Sequence, residues 1–175
     1  MPNPNQLPTY APGTKHLHVV IETVKGSRNK LAFDPHLGLF KLKGVLPEGS
    51  FFPYDFGFVP STLADDGDPL DVLLLMDAPT FPGCVVEARV IGVLEAEQTE
   101  TNKATERNDR LLAVAAESRM HSDVTDVSDL PEQLMREIEH FFVAYNQVKG
   151  WQFKVTRRSG HKRAEEIVRK AIQQA

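Results

Sequence analysis

Asp66-Gly67-Asp68-Pro69-Leu70-Asp71-Val72-Leu73-Leu74-Leu75 joins an acidic turn to an unbroken apolar run. A run that short, entered from Gly and Pro, reads as a strand buried on both faces. Leu70–Met76 is therefore expected to be a central strand. Three carboxylates at its mouth repel one another, which is costly beside a core unless a cation offsets it. Asp66 and Asp68 are two apart, so an extended chain projects both to one side. Gly67 permits a tight backbone, Pro69 stiffens it, and Asp71 can face the same cavity. Oxygen donors suit Mg²⁺, or Mn²⁺ or another divalent metal. The calcium EF-hand spacing fails, because Leu70 and Asp71 stand where a ligand and a glycine are needed. Zinc is poorly matched, since it favours nitrogen and sulfur. The plainer alternative is a solvated acidic turn capping a strand.

The rest of the chain builds outward from that strand. Leu17, Val19 and Ile21 alternate with polar neighbours, giving a strand after an extended N-terminal arm over residues 1–14. Short strands are expected at Lys30–Phe33 and Leu39–Leu42, and the aromatic stretch Phe51–Val59 is β-prone. Cys84–Leu94 and Arg110–Ala115 read as two more strands. The polar stretch Glu95–Asp109 between them reads as a long exposed hairpin loop. A helix is expected from about Leu130, capped by Asp129, with Leu134, Ile138, Phe141 and Tyr145 on one face and a stop at Gly150. A second helix is expected over Arg163–Gln174, burying Ile167, Val168, Ala171 and Ile172. Strands followed by two helices predict a β-barrel with helices packed outside, in one domain over residues 1–175.

Composition narrows the class. At 175 residues, 41% hydrophobic and 25% charged, the chain has enough apolar material for a real core. No apolar run approaches the ~20 residues that span a bilayer, so no membrane partner is expected. The N-terminal Met1-Pro2-Asn3-Pro4 shows no secretory pattern. Cys84 is the single cysteine, which excludes an internal disulfide and fits a cytoplasmic protein. A net charge of −4 argues against nucleic-acid binding. The basic cluster Lys154, Arg157, Arg158, Lys162, Arg163, Arg169 and Lys170 is read as a solvated helix face, with a nucleic-acid patch as the alternative.

The motif Asp66-Gly67-Asp68-Pro69-Leu70-Asp71-Val72 resembles the D-x-D-P-x-D signature of the family I soluble inorganic pyrophosphatases. Four further segments support that resemblance: Val19-Val20-Ile21-Glu22, Phe52-Pro53-Tyr54-Asp55-Phe56-Gly57-Phe58, Asp126–Pro131 and His140-Phe141-Phe142. It covers roughly residues 15–150. The resemblance implies a mainly β fold, a five-stranded OB-like closed barrel flanked by two C-terminal helices. It implies Mg²⁺-dependent hydrolysis of inorganic pyrophosphate to two phosphates, with phosphate or pyrophosphate as ligand, and a homohexamer. By the same resemblance Asp66 and Asp71 are metal ligands and Asp68 is the general base. Glu22 orders the reacting water, and Lys30, Lys43, Arg110 and Tyr145 bind phosphate. Asn108 and Glu97 (or Gln98) align with two further metal-ligating aspartates.

The family pattern is also altered. Ala32 stands for a site glutamate, Phe56 for a substrate-binding tyrosine and Asn146 for a lysine after the helix tyrosine. Gly44 falls at the position of a binding arginine, leaving Lys43 as the nearest cation. These departures keep two alternatives open: a non-catalytic relative that binds metal or phosphate, and a hydrolase of another phosphoanhydride.

Overall fold

The unbroken apolar run becomes strand β5 (Leu70–Leu75), and its neighbours are buried alternately into two clusters. Val72 and Leu74 enter one cluster, Leu73 and Leu75 the other. A strand with two apolar faces needs cover on both, which fixes β5 between two layers. The computed structural model describes residues 3–175. The other elements are β1 (Leu17–Thr23), β2 (Asn29–Asp34), β3 (Leu39–Val45), β4 (Asp55–Val59) and β6 (Val85–Thr99). They continue with β7 (Glu106–Arg107), β8 (Arg110–Ala115), α1 (Glu132–Val148), β9 (Gln152–Gly160) and α2 (His161–Gln174).

Five strands close into a ring. β1 pairs antiparallel with β4, and β4 antiparallel with β5. β5 runs parallel to β8, β8 pairs antiparallel with β6, and β6 returns to β1. Closure leaves these five strands without a free edge. This is the five-stranded OB-like barrel, with two helices following its strands. Gly57 permits the β1–β4 approach, since a Cβ there would overlap the Val20 carbonyl. Gly92 sits where β6 shifts register, and a Cβ there would stand 2.7 Å from Ser159 O and from Val127 Cβ. The first cluster draws on all five ring strands and on Ala164, Val168 and Ala171 of α2. The second joins β4, β5, β6 and β8 to Met135, Ile138 and Phe142 of α1 and to Phe153 of β9.

Several expectations need correction. Glu95–Asp109 is not one long loop: β6 runs through to Thr99, and β7 folds back on it at Glu97↔Arg107 and Gln98↔Glu106. The reason is β9, for which no strand was expected, and which pairs with the outer half of β6. Opposite charges face across that pairing at Glu97↔Lys154 and Glu95↔Arg157. Lys154, Arg157 and Arg158 therefore lie on a strand, and Arg158 bonds Glu132 and Glu139 of α1. Only Lys162, Arg163, Arg169 and Lys170 sit on a helix, and Arg163 is turned to Glu95.

Asp129 does not cap α1. It closes a reciprocal capping box with Asp126 over the 3-10 turn Val127–Asp129, and Pro131 occupies the position before α1. The helix is rotated slightly from the expected face. Met135, Ile138, Phe142 and Asn146 are most buried, while Leu134, Phe141 and Tyr145 pack partly. On α2 the buried residues are Ala164, Val168 and Ala171; Ile167 is only half-buried and Ile172 is exposed. The arm forms a 3-10 turn at Pro4–Gln6 and is tied down by Ser61, whose hydroxyl donates to Leu7 O at 2.8 Å. The part of the expected arm at Met1 and Pro2 lies outside the described residues.

Candidate active site

One cleft of about 840 Å³ opens against the barrel beside α1. Its acidic wall is local in sequence. Asp68 N–H donates to Asp66 Oδ1 at 3.1 Å, and Ala64 N–H donates to Asp68 O at 2.7 Å. Gly67 makes this turn possible with φ +87°, a value L side chains resist. The turn delivers Asp66 and Asp68 to the cleft beside Asp71, the second residue of β5. Glu22 enters from the end of β1, and its Oε1 accepts from Phe33 N–H at 2.8 Å. Burial pushes the Glu22 carboxyl up to about 7; Lys30 and the Phe33 amide oppose this, while Asp71 and Asp68 add to it. Burial and mutual repulsion likewise raise Asp66 and Asp68. The set is short of positive charge, and all its donors are oxygens.

The facing wall is cationic and aromatic. Lys30 Nζ lies 3.9 Å from Glu22 Oε2 and 4.2 Å from the Phe56 ring centroid. Burial pushes its pKa down, and Glu22 and Asp71 resist that shift. Arg110, first in β8, places Nη1 2.7 Å from Asp71 Oδ2 and also donates to Asn108 Oδ1. Its guanidinium stacks near Phe142 and Phe153, and its Nε is buried without a partner among the described residues. Lys43 lines the cleft from β3 and is near enough to lower Asp68. Tyr145 projects from α1, its hydroxyl pushed up to about 12 by burial.

The structure thus brings Glu22, Lys30, Lys43, Asp66, Asp68, Asp71, Asn108, Arg110 and Tyr145 into one cleft. It does not bring Glu97. Adjacent residues on a strand face opposite sides, and Glu97 lines a separate recess with Arg157. Gln98 takes the cleft-facing place and accepts from Asn108 Nδ2 at 3.1 Å. Asn108 is held between Gln98 and Arg110. Glu100, Lys103 and Glu106 reach the rim from the β6–β7 turn, and Lys149 and Trp151 join it after α1; sequence reasoning assigned no part to Lys103, Lys149 or Trp151. Lys149 was legible, since four residues from Tyr145 is one helical turn. Ala32, Phe56 and Asn146 line the cleft, and Asn146 is 1% exposed and donates to Phe142 O.

Among the described residues no three His, Cys, Asp or Glu side chains already converge as a metal-holding group. The donor chemistry nevertheless fits a hard divalent ion: oxygen ligands, raised carboxyl pKa values, and an Asp71 side chain still 29% exposed.

Carboxylates set against lysines and an arginine in a barrel-side cleft define a class: a hydrolase acting on phosphate anions. The inorganic pyrophosphatase family model matches residues 19–175. The chain is 43% identical to an inorganic pyrophosphatase of Thermus thermophilus, over 98% of this chain and 97% of that one. An inorganic pyrophosphatase of Synechocystis is 41% identical over 87% and 85%. A crystal structure of the Thermus thermophilus inorganic pyrophosphatase superposes with a TM-score of 0.90 at 42% identity, covering 99% of this chain and 98% of that chain. The Helicobacter pylori inorganic pyrophosphatase does so with 0.86 at 32%, covering 97% and 98%. The chain belongs to the inorganic pyrophosphatase family.

Proposed function

We propose that the chain hydrolyses inorganic pyrophosphate to two phosphates and requires a divalent cation, Mg²⁺ above others, with the whole chain acting as one domain. The observation that carries this is the opposition, in one cleft, of Glu22, Asp66, Asp68 and Asp71 to Lys30, Lys43 and Arg110. Asp66 and Asp71 would hold the metal, with the Asn108 carbonyl as an uncharged third donor. When bound, such an ion supplies charge neutralisation and acidifies an attacking water. Asp68 is exposed enough to meet that water and take its proton. Glu22, at the end of β1 in the same cleft, orients it by hydrogen bonding. Lys30, Lys43, Arg110 and Tyr145 donate to phosphate oxygens, where charge accumulates as the bridging bond breaks.

One observation favours a second reading, a relative that binds metal and phosphate without turnover. Asp71 is engaged by Arg110, and Ala32 and Phe56 present no polar group to the cleft. Phosphate release from pyrophosphate, with Mg²⁺ and then with excess chelator, separates the readings. Release that needs the metal supports catalysis. Binding of Mn²⁺ or phosphate with no release supports the second reading, and release only from another phosphoanhydride moves the substrate assignment.

A homohexamer in the cytoplasm is the assembly and setting proposed. Exposed Leu39, Leu42 and Phe81 offer apolar surface for a partner copy, and the lone Cys84 asks for no oxidising compartment. Among the described residues no helix is long and apolar enough to cross a membrane.

A further inference from the structure

Three cations of the cleft already have carboxylate partners: Lys30 has Glu22, Arg110 has Asp71, and Lys103 at the rim has Glu100. Lys149 has none, making no salt bridge among the described residues. It closes α1, and its spacing of four from Tyr145 puts both side chains on one helix face. Its Nζ donates to Tyr145 Oη at 2.7 Å and stands 4.1 Å from the Tyr145 ring centroid and 4.7 Å from that of Trp151. Gly150, with φ +75°, ends the helix and swings Trp151 beneath the ammonium group. The head group is therefore held at the cleft wall by aromatic faces.

Its electrostatic surroundings ask for an anion. Partial desolvation first, then Lys30 and Arg110, lower the Lys149 pKa to about 8, and Glu100 and Asp71 offset this only in part. Tyr145 Oη accepts from Lys149, which leaves its own O–H free to donate. Asn146 offers no substitute cation, since its side chain is uncharged and buried, with its amide donating to Phe142 O.

We propose that Lys149 is an anion-binding residue of the cleft, seating one phosphate group of a diphosphate together with the Tyr145 hydroxyl. The assignment rests on the function proposed above and adds a cation to Lys30, Lys43 and Arg110. An uncharged replacement removes a charge-assisted hydrogen bond, which lowers affinity by about tenfold. Arginine keeps the charge and the reach.

The test is titration calorimetry with methylenediphosphonate, a non-hydrolysable diphosphate, in Mg²⁺. The proteins are wild type, Lys149→Met, Lys149→Arg and Lys25→Met, the last a control lysine that also faces an aromatic ring, 5.2 Å from the Tyr54 centroid. We expect a loss of about tenfold for Lys149→Met, near wild-type affinity for Lys149→Arg, and no change for Lys25→Met. Unchanged affinity in Lys149→Met, or an equal loss in Lys25→Met, overturns the seat while leaving wild-type turnover of pyrophosphate intact. Failure of the wild type both to bind and to release phosphate overturns seat and function together.

Discussion

Arg110 Nη1 stands 2.7 Å from Asp71 Oδ2, so a protein cation occupies a carboxylate that a metal ion would also use. The guanidinium cannot move far, with Phe142 and Phe153 beside it and Asn108 accepting from it. A metal held by Asp71, as proposed above, would compete with the arginine for that carboxylate, and a phosphate anion between them would relieve the competition.

Removing that arginine exposes the competition. Arg110→Gln is expected to tighten Mn²⁺ binding in the absence of phosphate by roughly threefold to tenfold, the scale of a partly screened like-charge repulsion. It should also raise KM for pyrophosphate. Calorimetric titration with Mn²⁺ checks the first effect, and weaker binding in the variant would show that Arg110 organises Asp71 for the metal.

Glu22 gives stability a pH dependence with a definite sign. Its folded carboxyl is raised from 4.5 to about 7, so the folded state holds the proton more tightly than the unfolded chain. Its contribution is greatest below about pH 4.5 and is lost as pH rises through about 7. Glu22→Gln, which stays neutral, should gain stability relative to wild type as pH rises from 5 to 8. Urea denaturation in chelator at those two pH values measures this; a constant difference between the proteins contradicts it.

The aromatic floor under Arg110 holds the site to the core. Phe142 is 2% exposed and meets Phe56, Phe141 and Phe153 at ring separations of 6.0, 5.3 and 5.9 Å. Phe142→Ala should cost about 3–5 kcal/mol of stability, the usual range for emptying an aromatic site. Chemical denaturation of metal-free protein reads it, and a loss under about 1 kcal/mol would mean the site collapses around the deletion.

Sequence alone revealed the parts of the molecule that are local in the chain. β5 and its acidic turn are one continuous segment, so the strand and the wall formed by Asp66, Asp68 and Asp71 could be read together. β9 was hidden because a register shift at Glu95/Ala96 breaks the pattern and its charges are answered by β6 and α1. Without β9, the outer half of β6 looked like loop, and Glu97 could not be told from Gln98. A one-residue choice on a strand selects the opposite face, which is how Gln98 came to the cleft and Glu97 left it. Trp151 and the turn carrying Glu100 reach the site only through tertiary packing, and no local spacing marks them.

Ala32 lines the cleft from β2 with a side chain too short to reach a ligand. Ala32→Glu adds a carboxylate to that wall and is expected to raise kcat/KM for pyrophosphate by roughly threefold or more. Steady-state kinetics at saturating Mg²⁺ decides this. A fall in rate would mean that the present wall is arranged around alanine.

In the proposed reaction Asp68 takes a proton from water in a metal-dependent cleavage of pyrophosphate. The direct measurement is phosphate release from pyrophosphate with Mg²⁺, by wild type and by Asp68→Asn, which keeps the side chain's size and removes its basicity. Release by the wild type, its loss on chelation, and a fall of about a hundredfold or more in Asp68→Asn are expected. Equal rates in the two proteins, or no wild-type release above the blank, would contradict this reaction.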